Sequence, residues 1–296
     1  MNRQHDISME DLSEFCAPGA SAREEMVPVT DQVTLRVVHF TPARDAGNPA
    51  VVFVAGWISL MVGWQEVLLE MTRDFPVIYV ETREKISSCI RGRVTYDVKS
   101  LGDDLIEIVK RYGLKAGEYV MFGSSLGATV ILDCCRQLRE APLGMILIVP
   151  NAVFRVPRSI KFIILFYYPD FYFIMKRFVK WYLKHFRMDV KSDPEQFRKY
   201  CRSLDAADPW KLKRAALAFS RYQVWPILES IHVPVLIVAA SKDRLHEPEY
   251  LKKMASVLPR AQYLDMETNK KTHTRHVVER MREYIAGLRG QPKASR

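Results

Sequence analysis

No stretch of this sequence runs for about 20 consecutive apolar residues, the length that a membrane-spanning helix requires. The most apolar segment, FIILFYYPDFYFIM (162–175), is broken by Pro169 and Asp170. The five cysteines, Cys16, Cys89, Cys134, Cys135 and Cys201, show no framework spacing. A disulfide-stapled scaffold is therefore not expected, and reduced thiols in a cytoplasmic protein are. Zinc-type Cys/His spacing, a glycine–lysine phosphate loop and an RNP-like aromatic motif are all missing. Nucleic acid is therefore the weaker choice of partner, and no metal or cofactor is implied. The N-terminal MNRQHDISMEDLSEF has none of the apolar core of a signal peptide. There are no internal repeats.

What is present is a chain of 296 residues, 48% hydrophobic and 11% aromatic, with a formal charge of +10. It can bury a sizeable core. The basic balance points to an anionic membrane surface or an acidic ligand.

Residues 1–28 read as a loose arm. VTLRVVHFTPA (33–43) alternates as a strand does, and PAVVFVAG (49–56) and FPVIYVET (75–82) read as strands buried on both faces. A helical period covers 61–73, and 96–113 is an amphipathic helix closed by a glycine. EYVMFG (118–123) and LGMILIVP (143–150) are further strands, with a helix between them over 126–138. Residues 151–223 then carry helices and no strand. The alternation resumes with VPVLIVAA (233–240), a helix over 247–257, AQYLDMET (261–268) and a last helix over 276–288. This order predicts a mostly parallel sheet covered on both faces. Residues 29–150 and 224–290 form the core, 151–223 an inserted helical cap, and 291–296 a tail. Ligands in such sheets bind beyond the carboxyl ends of the strands, where the cap would lie.

MFGSSLGATVIL (121–132) carries the chemistry. Gly123-Ser124-Ser125-Leu126-Gly127 has the form G-x-S-x-G, after a buried strand and before a helix. The central position, flanked at two residues by glycine, belongs to Ser125, so a sharp turn there would present its hydroxyl. A tight strand-to-helix turn without catalysis has the same pattern. A nucleophilic serine needs a base, and the base needs an orienting carboxylate. Asp243 follows the strand 233–240. Asn151, not a carboxylate, follows the strand ending at Pro150. His273 and His276 follow the last strand; His273 is preferred as base because it sits in the loop, whereas His276 begins the helix.

With Ser125, Asp243 and His273 in that order, the sequence resembles the α/β-hydrolase fold superfamily over residues 33–288. The resemblance implies an oxyanion hole made by the backbone N–H groups of Leu126 and Trp57. It also implies a serine hydrolase, with no cofactor. Two places depart from common patterns: Ala55-Gly56 stands where many relatives have His-Gly, and ETREKISS (81–88) replaces a glycine-rich loop. Serine in the nucleophile slot argues against the haloalkane dehalogenase branch.

From 153 to 222 there are 16 Lys and Arg against 6 Asp and Glu, so this segment alone accounts for the basic excess. Arg177, Lys180, Lys184 and Arg187 share one helix face, and Phe178, Trp181, Tyr182 and Phe186 fall largely elsewhere. Such a helix either lies at an anionic membrane, making the protein peripheral, or packs its aromatic side on the core or the acyl pocket. Phe162, Phe166 and Trp57 favour a hydrophobic ester, lipid-like or aromatic. The expected activity is carboxylic ester hydrolysis through an acyl-enzyme. The alternatives are an acyltransferase or thioesterase with the same triad, or a non-catalytic binding or membrane-associated protein on this scaffold.

Overall fold

The computed structural model describes residues 11–154, 164, 166, 168–188, 190, 194–242 and 248–290. Nine strands form one sheet: β1 (Ser21–Thr30), β2 (Val33–Thr41), β3 (Ala50–Val54), β4 (Val77–Val80), β5 (Cys89–Ile90), β6 (Tyr119–Ser124), β7 (Gly144–Ile148), β8 (Val235–Ala239) and β9 (Ala261–Asp265). Their order is β1-β2-β4-β3-β6-β7-β8-β9, with β5 paired to β2. The pairs from β4 to β9 are all parallel, and β1, β2 and β5 join antiparallel.

The central strands β3, β4, β6, β7 and β8 are almost wholly buried. Their continuous Val, Ile and Leu runs suit a parallel sheet covered on both sides. The covering helices include α1 (Gln65–Met71), α2 (Val98–Arg111), α3 (Leu126–Cys134), α7 (Pro248–Val257) and, after the short α8 (Asn269–Thr272), α9 (Arg275–Gly290). Between β7 and β8 lie α4 (Tyr172–Tyr182), α5 (Pro194–Ala206) and α6 (Pro209–Phe219). α2 begins on the side chain of Asp97, which accepts from Ser100 N at 2.8 Å and satisfies a free N–H of the first turn. Among the described residues, no helix is long and apolar enough to cross a membrane. Cys134 and Cys135 are buried, and burial pushes the Cys135 thiol up to about 12; neither suits a nucleophile.

From residue 11 onward, where the structure describes it, the loose arm is corrected. Ser21–Thr30 is a strand that pairs with β2 from Ser21↔Thr41 to Thr30↔Val33. Before it, a 3₁₀ turn at Leu12–Phe15 buries Phe15, and Thr72 Oγ1 accepts from Ala17 N at 2.8 Å. SAREEMVPVT hides this strand because it lies at the sheet edge. An edge strand carries charge on its open side and tolerates Pro28 near an irregularity of the ladder.

Candidate functional site

Parallel pairing brings the carboxyl ends of β4, β3, β6, β7, β8 and β9 to one edge of the sheet. Ser125 follows β6 directly, and Val54↔Gly123 and Ser124↔Ile148 set its height relative to both neighbouring strands. Its backbone has φ +49° and ψ −113°, a conformation that a residue with a Cβ adopts only when its surroundings impose it. Those surroundings are identifiable. Ser125 N donates to Ile148 O at 2.8 Å, and Ser125 O accepts from Thr129 N at 3.0 Å as α3 begins. The flanking glycines allow the close approach: a Cβ on Gly127 would lie 2.2 Å from Val54 O, and one on Gly123 would lie 2.8 Å from Ala128 N.

Ser125 and His273 line the same cavity of about 490 Å³. His273 closes α8, and its ring stacks on Trp64 with centroids 4.1 Å apart. His273 Nδ1 lies 3.0 Å from Asn269 O and 3.0 Å from Thr272 Oγ1. A carbonyl oxygen only accepts, so Nδ1 carries a proton, and in the neutral ring Nε2 is the nitrogen with the lone pair. His276 is exposed, with Nδ1 3.0 Å from Thr274 Oγ1, and is not among the lining residues. Asp243 lies outside the described residues. Trp57 lines the cavity, its ring edge-on to Phe219 at 5.7 Å. Leu126 is the first residue of α3, where backbone N–H groups are unsatisfied and the helix dipole favours negative charge. Phe166 is exposed and is not among the lining residues, and Phe162 lies outside the described residues.

Three features of this site are not legible in the sequence. Asn151 Nδ2 donates to Ser125 Oγ at 2.8 Å. Thr129 fixes that loop, accepting from Asn151 N at 2.9 Å and donating to Asn151 O at 3.1 Å.

The second feature is Lys85, within the stretch that replaces a glycine-rich loop. Its ammonium is buried and donates to Gly56 O and, at 2.8 Å, to Ser59 O. Burial lowers its pKa, opposed by Glu84 and Glu81. Lys85 thus clamps both ends of the Gly56–Ser59 turn that carries Trp57. Its own loop is held from two sides. Arg83 forks onto Asp104 at 2.6 and 2.7 Å, and Lys211 of α6 donates to Lys85 O and Ser88 O, each at 2.7 Å.

The third feature is strain. Ile58, Ser125 and Val149 have φ of +52°, +49° and +40°, and all three line the cavity. Positive φ at a β-branched residue is rare and concentrates at functional sites. The cavity wall is otherwise largely apolar, with Met175, Val179 and Leu183 contributed by α4 and the turn after it, and Leu212 by α6.

No protein-family model matches the sequence, and no curated protein does. Solved structures do match. A thermophilic esterase from Thermogutta terrifontis superposes with a TM-score of 0.70 at 20% identity, covering 90% of this chain and 99% of that one. A hydrolase from Pseudomonas aeruginosa PA01 gives 0.72 at 16% identity, covering 91% and 99%. A membrane phospholipase A, described as a bacterial virulence factor, gives 0.67 at 17% identity, covering 92% and 88%. The parallel sheet, its flanking helices and these likenesses together establish that the chain has the α/β-hydrolase fold.

Proposed function

We propose that this protein is a serine hydrolase of carboxylic esters with a hydrophobic acyl part. The observation that carries the reading is a strained serine at a helix N-terminus, sharing the wall of a mainly apolar cavity with a histidine whose Nδ1 lies on the Asn269 carbonyl oxygen. Ser125 Oγ attacks the carbonyl carbon while His273 Nε2 takes the hydroxyl proton. The N–H groups of Leu126 and Trp57 receive the oxyanion. His273 returns the proton to the leaving alcohol, and the acyl-enzyme is hydrolysed by water. Asp243 is assigned as the carboxylate that orients His273, on its place after β8. The helices between β7 and β8 act as a cap over the acyl site. Likeness to an esterase and to a phospholipase supports it.

A fluorophosphonate probe tests the reading by labelling the activated serine. Peptide mapping should place the label on Ser125. Labelling should be lost in Ser125→Ala and fall steeply in His273→Ala and Asp243→Ala. A folded protein that is never labelled would make the turn at Ser125 a structural one and favour a binding protein on this scaffold.

Lys85 acts as a positioning residue in this scheme. Lys85→Met keeps the length of the side chain but frees Gly56 O and Ser59 O. The Trp57 N–H would then lose its fixed aim. The expected result is a fall of about 10- to 100-fold in kcat with KM nearly unchanged, because displacement of an oxyanion donor is felt in the transition state. A variant that lost stability but kept its kcat would remove Lys85 from this role.

A further inference from the structure

Ten of the eleven large apolar side chains exposed among the described residues lie between Phe166 and Trp210. The centre of this patch is α4. Tyr172, Met175 and Val179 turn one side of that helix to the cavity. On the other side Ile174, Phe178, Trp181 and Tyr182 are between 39% and 58% exposed. Phe178 and Trp181 lie 5.9 Å apart, and Phe186 adds a third ring 5.5 Å from Trp181. A helix that is apolar on both sides belongs in a core or against lipid. Packing of this aromatic side on the protein itself, one of the two sequence expectations, is not what the structure shows.

The charges divide in the same way. Lys176 and Lys180 are held by Asp205 of α5 at 3.0 and 2.7 Å. Arg177 and Lys184, two turns apart on one edge of the aromatic face, are exposed and have no acidic partner among the described residues. From 153 to 222 the chain carries 16 Lys and Arg against 6 Asp and Glu. Aromatic rings flanked by cations suit the depth profile of a lipid head-group region, where Trp and Tyr settle and Lys and Arg meet anionic phosphates.

We propose that the outer face of α4 docks this protein on an anionic lipid bilayer, with Phe178 and Trp181 inserted and Arg177 and Lys184 on the head groups. The opposite side of the same helix walls the cavity, so a docked protein would hold its acyl site about one helix diameter, about 10 Å, from the lipid. That consequence rests on the ester-hydrolase reading; the docking itself does not.

Flotation of the full chain with vesicles tests the proposal without any substrate. Vesicles of phosphatidylcholine alone are compared with vesicles holding about 30 mol% phosphatidylserine. The protein should float with the anionic vesicles and far less with the neutral ones, and its tryptophan emission should shift to the blue. Phe178→Ala with Trp181→Ala should weaken binding by about a hundredfold. Arg177→Gln with Lys184→Gln should weaken it by about thirtyfold. These side chains are exposed and line no part of the cavity, so far-UV circular dichroism and turnover of a water-soluble short-chain ester should stay as in the wild type. Absence of flotation, equal flotation with both vesicles, or full binding by the aromatic double variant would each overturn the proposal. So would a dimer by light scattering that the aromatic double variant dissociates, since the face would then be covered by a second copy. Ser125→Ala should lose hydrolysis but float like the wild type. A wild-type protein that floats but hydrolyses no ester would count against the function alone, and one that hydrolyses esters but does not float would count against the docking alone.

Discussion

Replacement of His273 by alanine is expected to lower kcat for a short-chain ester by about 10⁵-fold or more, the scale on which a base acting as a unit with its nucleophile is missed. The proton transfer exists only in the transition state, so kcat should fall while KM changes little. The local structure favours His273 over its neighbour as the proposed base. α8 starts on Thr268, whose side chain accepts from Lys271 N, and its single turn brings Nδ1 back to Asn269 O at 3.0 Å. That contact sets the tautomer, and the stack on Trp64 sets the plane of the ring. His276 stands on the exposed side of α9, so His276→Ala should leave kcat unchanged. Because Trp64 loses a stacked partner in His273→Ala, thermal denaturation should accompany the kinetics and show that the variant is folded. A His273→Ala protein within tenfold of wild-type kcat would move the base elsewhere.

The largest expected effect on stability comes from Gly127→Ala. The added methyl would sit 2.2 Å from Val54 O and 2.7 Å from Ala55 O. These are backbone atoms at the end of β3, which is hydrogen-bonded on both sides to β4 and β6. No side chain can swing away to make room. Relief requires the first turn of α3 to lift off the sheet, and Ser125 would move with it. A loss of about 3 kcal/mol or more is expected in denaturant unfolding. Gly287→Ala provides the contrast. Gly287 lies in α9 with nothing within 4 Å of its added Cβ, so alanine should stabilise by about 0.5–1 kcal/mol through helix propensity. If Gly127→Ala were as stable as the wild type, the close crossing of α3 over β3 would be wrong.

Much of the core was legible because buried parallel strands carry their own signature. The runs 49–56, 75–82, 118–123, 143–150 and 233–240 each contain an observed strand, trimmed by a few residues at the ends. The helices over 96–113 and 247–257 were equally plain, since an amphipathic period and its caps are local properties. G-x-S-x-G was legible for a steric reason: only glycine fits where α3 crosses β3 and β6, and that demand is written into the residues themselves. β1 was not legible. Its residues carry no strong strand period, and only the open hydrogen-bonding edge of β2 makes them a strand.

By itself, then, the sequence determined the alternation of strands and helices, the sharp turn that presents Ser125 and the basic, aromatic character of the segment between β7 and β8. Each of these depends on residues close together in the chain. Tertiary structure decided everything that depends on distant residues meeting. It placed Ser125 and His273 on one cavity wall, gave Asn151 to the serine hydroxyl and buried Lys85 beneath the turn that carries Trp57. It also turned the aromatic side of α4 outward. A helical period shows that two faces differ, but which of them meets solvent is settled only when the rest of the chain packs against one.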